Sequence, residues 1–84
     1  MNKFFVSVIV PTINLEFNFF IPNNKKIGVI KFKICELIKN DFGFNDCYEF
    51  FSCRLLDRYS GVEYDNDILI NNSNIQNGSK LILL

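Results

Sequence analysis

The apolar positions of the first quarter of the chain follow the alternation of β-strands. Phe4–Val10 is rich in β-branched and aromatic residues, and in Leu15–Ile21 every second position from Leu15 onward is apolar. Both features are typical of strands. The intervening Pro11–Asn14 has the composition of a turn. The sequence therefore predicts a β-hairpin, with Leu15, Phe17, Phe19 and Ile21 toward the core and Phe20 pointing away.

Beyond Pro22 the apolar residues recur at helical spacing. They form one stripe, which consists of Ile27, Ile30, Ile34, Leu37 and Ile38. The charged residues of the segment lie off the centre of this stripe or opposite to it, and they include Lys25, Lys31, Lys33 and Lys39. This pattern predicts an amphipathic helix from Lys25 to about Asn40. Asn24 is its expected N-cap, and Gly43 is its expected C-terminal stop.

The second half of the chain predicts shorter elements. Phe50–Leu56 is expected to be a third strand and Val62–Tyr64 a short strand. Ile68–Ile70 is expected to form a turn of helix or a bridging loop. Asn77-Gly78 tolerates the positive φ angles of a tight turn, which leads into a final strand, Lys80–Leu84.

The order of these elements is hairpin, helix, strand, short strand and last strand. This is the order of the β-grasp fold, in which the first and last strands lie side by side in parallel and one helix crosses the sheet. A chain of 84 residues has room for one core. We therefore expect a single α+β domain over residues 1–84, with a mixed sheet of four to five strands packed on one helix.

The segment NIQNGSKLILL, Asn74–Leu84, resembles the terminal turn and strand of ubiquitin, and IGVIKFKICE in the predicted helix and Pro22 before it extend the likeness. Among ubiquitin-like proteins the chain is most similar to the YukD/EsaB type, which is associated with type VII secretion in Gram-positive bacteria. Those proteins share the hairpin, the proline before the helix, an Ile-x-Asn-Gly-x-x-Leu ending, here Ile75–Leu81, and a stop at the last strand. Asp41–Ser60 departs most from this pattern.

This resemblance implies a bacterial, cytoplasmic accessory or regulatory protein that binds a larger component of a type VII-like secretion system. The alternative is a ubiquitin-like modifier or sulfur carrier. Such proteins need a flexible Gly-Gly terminus, whereas this sequence ends in Leu83-Leu84. The alternative therefore requires a terminus that is processed or incomplete here, and we expect no reactive C-terminus.

The composition argues against several kinds of partner and catalytic site. Nine basic and nine acidic residues balance, which argues against nucleic acid or an anionic membrane surface as the partner. The sequence has no histidine, so the usual general base of an active site is missing. Cys35, Cys47 and Cys53 match neither zinc nor iron–sulfur spacing, and their odd number favours reduced thiols in a cytosol. We expect no enzyme, no metal and no cofactor.

The N-terminal MNKFFVSVIV superficially resembles a signal peptide. Pro11 interrupts the apolar run, and the chain contains no alanine for an A-x-A cleavage site. The run is also too short to span a bilayer. We interpret it as the first strand, with a signal peptide as the alternative.

A surplus of apolar residues predicts the functional surface. Polar Ser7 implies that Phe4, Val6, Val8 and Val10 face inward, which leaves Phe5 and Ile9 outward. Resemblance to ubiquitin places Leu81 and Leu83 inward and Ile82 and Leu84 outward. The predicted protein-binding patch on the open sheet face is therefore Phe5, Ile9, Ile82 and Leu84.

Two alternatives to a partner interface are open. The helix, the Asp41–Asn45 loop or self-association could cover this face. The strand phase could also be wrong by one residue, which would exchange the two faces. Val29 and Phe32 lie off the helical stripe and form a second, weaker candidate patch.

Overall fold

The computed structural model describes residues 3–43 and 53–84. Its strands are β1 (Lys3–Val10), β2 (Leu15–Pro22), β3 (Leu55–Asp57) and β4 (Lys80–Leu83), and its α-helix is α1 (Ile27–Phe42). Short 3-10 helices occupy Pro11–Ile13 and Ile70–Asn72. Across these ranges the chain is an α+β domain with one helix on a mixed sheet, as predicted.

The four strands in the described ranges lie in the order β2-β1-β4-β3. β1 and β2 form the predicted antiparallel hairpin, with Val6 opposite Phe19. β1 and β4 pair in parallel, with Ile9 opposite Ile82, which confirms the expected adjacency of the first and last strands. β3 pairs antiparallel with β4 at the outer edge.

The hairpin turn is a short 3-10 helix that ends at Asn14. Proline at its first position sets φ in advance, and the Asn14 N–H donates to the Pro11 carbonyl at 3.1 Å. Asn14 has a φ of 54°, a left-handed conformation that asparagine tolerates better than most residues. The predicted turn is therefore confirmed, with its bend at Asn14.

The helix starts two residues later than predicted, and Asn24 is not its cap. Lys26 occupies the N-cap position and makes no side-chain cap hydrogen bond. Backbone carbonyls replace the cap: the Ile27 N–H donates to Ile68 O and the Gly28 N–H to Asn66 O, both at 2.9 Å. These bonds satisfy N–H groups that have no partner within the helix.

The helix ends at its predicted stop. Gly43 is the C-cap with a φ of 76°, and its N–H donates to Ile38 O. A glycine adopts this left-handed conformation without the steric cost of a Cβ atom. The prediction for the C-terminal end of α1 is therefore confirmed.

The core lies between α1 and one face of the sheet. Its buried side chains come from the helical stripe, from the inward positions of the strands and from the loop before β4; they include Val6, Val8, Val10, Ile21, Ile27, Ile30, Ile34, Ile38, Leu55, Ile70, Ile75, Leu81 and Leu83. Phe4, Phe17 and Phe19 are partly buried against this cluster. The predicted strand phases are thus confirmed for β1 and β4.

Two inward or outward assignments were wrong. Leu15 is 39% exposed because it lies at the turn end of the hairpin. Lys31, which the helical spacing predicts to lie off the centre of the apolar stripe or opposite to it, is 5% exposed, and its Nζ donates to Cys53 O at 2.8 Å. A lysine stem packs along apolar surface while its amine reaches a polar partner, so helical spacing alone misplaced it.

The third strand is shorter than predicted. Only Leu55–Asp57 is β3, and residues 50–52 of the predicted strand lie outside the described residues. The predicted short strand at Val62–Tyr64 is a single bridge between Leu56 and Glu63. A tight turn, in which the Gly61 N–H donates to Asp57 O at 2.9 Å, brings the two sides together. The last strand ends at Leu83 instead of Leu84.

The described cysteines are packed thiols. Cys35 on α1 and Cys53 before β3 are free and buried. Burial, together with the adjacent Cys53 thiol, raises the pKa of Cys35 to about 12. Cys47 lies outside the described residues. In the described part of the chain, no helix is long and apolar enough to cross a membrane.

Candidate functional site

The candidate site is the face of the sheet that points away from α1, which we call the open face. Along β1 the exposed fraction alternates: Phe5 and Ile9 are exposed or half-buried, whereas Val6 and Val8 are fully buried. β4 alternates in the same way, with Ile82 half-buried between Leu81 and Leu83. All residues of the predicted patch therefore lie on the open face or at its border.

Three aliphatic side chains lie in register across the open face. Ile9 on β1 is opposite Ile82 on β4, and Ile82 is opposite Leu56 on β3. All three are half-buried. Directly opposite residues on adjacent strands are close enough for their side chains to touch. We call Ile9, Ile82 and Leu56 the aliphatic row.

Acidic residues bound the aliphatic row at both ends. Glu16 on β2 is opposite Ile9, and Glu63 bridges to Leu56. Arg54 lies 3.7 Å from Glu63 and forms an exposed ion pair with it. Such a pair contributes little to stability, but it fixes charge at the edge of the aliphatic row.

A polar row separates the aliphatic row from the aromatic end of the open face. Asn18, Ser7 and Lys80 are in register on β2, β1 and β4. The Ser7 hydroxyl donates to Asn18 Oδ1 at 2.8 Å. Arg58, directly after β3, lies beside Lys80: its backbone N–H donates to Lys80 O at 3.0 Å. The polar row therefore ends in two adjacent basic residues.

Beyond the polar row, Phe5 pairs with Phe20. The two residues are opposite each other in the hairpin, and their ring centroids are 4.9 Å apart at an interplanar angle of 58°. Tilted rings at this separation attract each other. Phe20, predicted to point away from the core, is 69% exposed. The structure thus brings Phe5 to Phe20 and not to the β4 residues of the predicted patch.

Leu84 lies just past the end of β4 and is 43% exposed. Its N–H and carbonyl exchange hydrogen bonds with the backbone of Arg54, both at 2.8 Å. By strand alternation it follows Ile82 on the same face. The predicted patch is therefore one aliphatic group, Ile9, Ile82 and Leu84, and a separate aromatic group that contains Phe5.

Solved structures share this architecture over nearly the whole chain. The ubiquitin-like domain of an Arabidopsis thaliana protein matches with a TM-score of 0.74 and 20% identity, covering 100% of this chain and 78% of that one. Caldiarchaeum subterraneum ubiquitin matches with a TM-score of 0.76 and 13% identity, covering 96% and 90%. A protein described for molecular mimicry of SUMO in DNA repair matches with a TM-score of 0.77 and 11% identity, covering 100% and 92%.

The chain has the ubiquitin-like β-grasp fold. Identities this low show the fold and nothing finer. No protein-family model matches the sequence, and no curated protein does.

Leu56 is the residue of the open face that the sequence did not reveal for this ubiquitin-like domain. The predicted strand, Phe50–Leu56, contains Leu56, but the sequence does not indicate which of its residues pair with β4. The sequence does contain one indication: Leu55 and Leu56 are adjacent, and in a strand one of two adjacent residues faces away from the core. The structure buries Leu55 and leaves Leu56 in the aliphatic row.

Two titratable groups at and after β3 have shifted pKa values. Burial and the nearby Asp57 carboxylate raise the pKa of Tyr64 to about 12. Hydrogen bonds from Ser60 lower the pKa of Asp57, which caps the turn after β3. The open face of the ubiquitin-like domain combines partly exposed apolar side chains with charged residues at its edges.

Proposed function

We propose that this ubiquitin-like domain is a non-catalytic protein-binding module whose partner docks on the open face. The observation that carries the proposal is the aliphatic row: Ile9, Ile82 and Leu56 in register, half-buried and flanked by charge. A cluster of apolar side chains that is bordered by polar groups is the usual anatomy of an interface.

The apolar contact would supply most of the affinity. The half-buried side chains of the aliphatic row still expose apolar surface, and a partner that covers it removes that surface from water. Leu84, exposed beyond Ile82, would extend the same contact. Strand pairing already fixes the backbone that carries these side chains, so no backbone conformational entropy has to be lost on binding.

The charges beside the row would orient the partner. Lys80 and Arg58 are adjacent on one side, and Glu16 lies at the β2 end of the row. A partner with an acidic group facing Lys80 and Arg58 would have complementary charge, which mainly raises the association rate and fixes the register.

The partner we propose is a component of a type VII-like secretion system, with the domain acting in the cytoplasm as an accessory or regulatory protein. What supports this is the resemblance of Ile75–Leu81 to the ending of YukD/EsaB-type proteins. In the structure this ending forms a turn against β1: Gly78 has a φ of 91°, and the Phe5 N–H donates to Asn77 Oδ1 at 2.8 Å.

Affinity capture from cells that make the protein tests this proposal. Tagged wild type, Ile82→Asp and Val29→Asp are compared, with captured proteins identified by mass spectrometry. Ile82 lies in the aliphatic row, whereas Val29 is an exposed apolar residue of α1. We expect wild type and Val29→Asp to recover the same secretion component and Ile82→Asp to lose it.

Other outcomes would contradict parts of the proposal. Equal recovery by Ile82→Asp would remove the open face as the docking surface. Recovery of an adenylating enzyme or a sulfurtransferase would contradict the secretion role and favour the modifier or carrier alternative.

A further inference from the structure

The turn before β4 contains the only Asn-Gly pair of the sequence, Asn77-Gly78. The turn runs from Gln76 to Ser79: the Ser79 N–H donates to Gln76 O at 3.0 Å, and the Gln76 N–H donates to the Ser79 hydroxyl at 2.9 Å. Gly78 has a φ of 91°, which a residue with a Cβ atom adopts only at a steric cost. The turn therefore requires glycine directly after Asn77.

This pair of residues can react with itself. Asparagine is among the thermally labile residues, and a following glycine has no side chain to shield its backbone nitrogen. The Gly78 nitrogen loses its proton and attacks Cγ of Asn77, the carboxamide nitrogen leaves as ammonia, and a cyclic succinimide forms. Water then opens the ring at either carbonyl, which gives aspartate or isoaspartate. The reaction consumes one water and releases one ammonia, and it needs no oxidant, reductant or enzyme.

In the folded chain both reacting groups are bound to one residue of β1. The Gly78 N–H donates to Phe5 O at 2.7 Å, and the Phe5 N–H donates to Asn77 Oδ1 at 2.8 Å. We call these two hydrogen bonds the Phe5 clasp. The first bond holds the proton that the Gly78 nitrogen has to lose, and the second holds the carboxamide that this nitrogen has to attack. A hydrogen-bonded backbone amide gives up its proton only when the structure opens locally.

The Phe5 clasp lies at the surface, where water is available for the reaction. Asn77 and Gly78 are both exposed, so burial does not protect them. The parallel pairing of β1 with β4 begins just beyond the clasp, where Ser7 is opposite Lys80. Separation of β4 from β1 at this end therefore breaks the clasp first.

We propose that Asn77-Gly78 is a covalent modification site that the Phe5 clasp keeps unreactive while the last strand is paired. Deamidation proceeds from states in which the clasp is open. Opening of the strand is reversible, whereas isoaspartate persists, so the modified fraction of the protein records how often this end of β4 has opened. The inference concerns the turn before β4 and does not rest on the function proposed above.

The two products differ in their effect on the clasp. Aspartate at position 77 keeps the length of the backbone and of the side chain, so a carboxylate oxygen can still accept from the Phe5 N–H. Isoaspartate adds a methylene to the main chain and attaches its carboxylate directly to Cα. The spacing between residue 77 and Gly78 then no longer matches the N–H and C=O of Phe5. We expect the isoaspartate form to lose the clasp and the aspartate form to keep it.

The direct test compares deamidation in the folded full chain and in a synthetic peptide of residues 73–81, which contains no Phe5. Both are incubated in the same buffer, and mass spectrometry follows the conversion of Asn77 from amide to acid. We expect conversion to be at least about fivefold slower in the folded chain, as the need to break two hydrogen bonds implies. Hydrogen exchange of the Gly78 amide in the full chain should be slowed as well, because it begins with the same loss of a proton.

A matched pair of variants isolates the clasp. Phe5→Pro removes the N–H that Asn77 accepts, and Phe5→Ala keeps this N–H. Both variants lose the ring contact with Phe20. The Phe5 N–H points to the β4 side, so Phe5→Pro does not remove a hydrogen bond of the hairpin. We expect Asn77 to deamidate about three- to tenfold faster in Phe5→Pro than in Phe5→Ala.

Three outcomes would overturn the inference. Equal deamidation rates in the folded chain and in the peptide would show that the fold gives no protection. Equal rates in Phe5→Pro and Phe5→Ala would assign the protection to the turn itself. Free hydrogen exchange at Gly78 would contradict its bond to Phe5. If Phe5→Pro fails to fold, the comparison with the peptide and the exchange of Gly78 still decide.

Discussion

The two faces of the sheet carry apolar side chains from the same strands, and they differ in what covers them. On the covered face, Val6, Val8 and Leu81 are fully buried under α1. On the open face their direct neighbours Phe5, Ile9 and Ile82 retain exposed surface. A side chain's position in the strand alternation thus decides whether it stabilises the fold or is available to a partner. Comparing matched substitutions on the covered face and on the open face therefore tests this difference directly.

The largest expected effect comes from placing a charge on adjacent residues of β4. Leu81→Asp buries a carboxylate in a fully buried site and should lower the free energy of unfolding by on the order of 5 kcal/mol, enough to unfold a small domain. Ile82→Asp should cost about 1 kcal/mol, since its carboxylate reaches water. Urea unfolding of both variants checks this, and equal losses would show that the open face is covered.

A smaller loss is expected from truncating the helical stripe. Ile34 is buried beneath the sheet, so Ile34→Ala should cost about 2–5 kcal/mol through lost burial and the cavity left behind. Val29→Ala, at an exposed site on the same helix, should be nearly neutral. Thermal melting compares the two, and an unchanged midpoint for Ile34→Ala would refute the assignment of the covered face.

The buried thiol of Cys35, on α1, predicts that the free energy of unfolding depends on pH. Its pKa is raised to about 12 in the folded chain, against an ordinary value of 9.0. The unfolded chain therefore releases this proton first, and stability is lost as the pH rises from 9 toward 12. Between pH 9 and 10 the loss should be about 1 kcal/mol. Cys35→Ala should lack this part of the dependence in urea titrations at each pH; identical pH profiles would contradict the burial.

The smallest effect is expected from the polar row. Ser7→Ala removes the exposed hydrogen bond from the Ser7 hydroxyl to Asn18, and it should change the free energy of unfolding by about 0.5–1 kcal/mol. Val8→Ala, one residue further along β1 on the covered face, is the matched comparison and should cost more. If Ser7→Ala in urea unfolding proved as costly as Val8→Ala, the two faces would not differ as described.

Local periodicity was sufficient for the elements that are regular by themselves. The hairpin and the stripe of α1 follow from alternation and helical spacing, and the final strand follows from an apolar run after the Asn77-Gly78 turn. Gly43 follows from the need for a left-handed residue at the helix end. The start of α1 could not be found in this way, because backbone carbonyls of Asn66 and Ile68, distant in sequence, replace the side-chain cap.

The candidate site was predicted only in part for the same reason. Ile9 follows from alternation around the polar Ser7 in its own strand, whereas Ile82 was placed by the resemblance of the last strand to that of ubiquitin. Leu56 follows from neither, because pairing with β4 sets the register of its short strand. The separation of Phe5 from the aliphatic row also depends on pairing, since the hairpin register brings Phe5 against Phe20. The sequence of a single strand can indicate which side chains share a face, but it does not indicate which residues of another strand lie beside them.

The most direct test of the central claim is to map the interface in a complex with the protein captured by wild type. Amide signals of the isotope-labelled chain would be followed as the unlabelled partner is added. The account predicts that the signals that shift most are those of Ile9, Leu56 and Ile82 and of their neighbours on the open face. Shifts confined to α1, with the aliphatic row unchanged, would contradict the claim that this face is the docking surface.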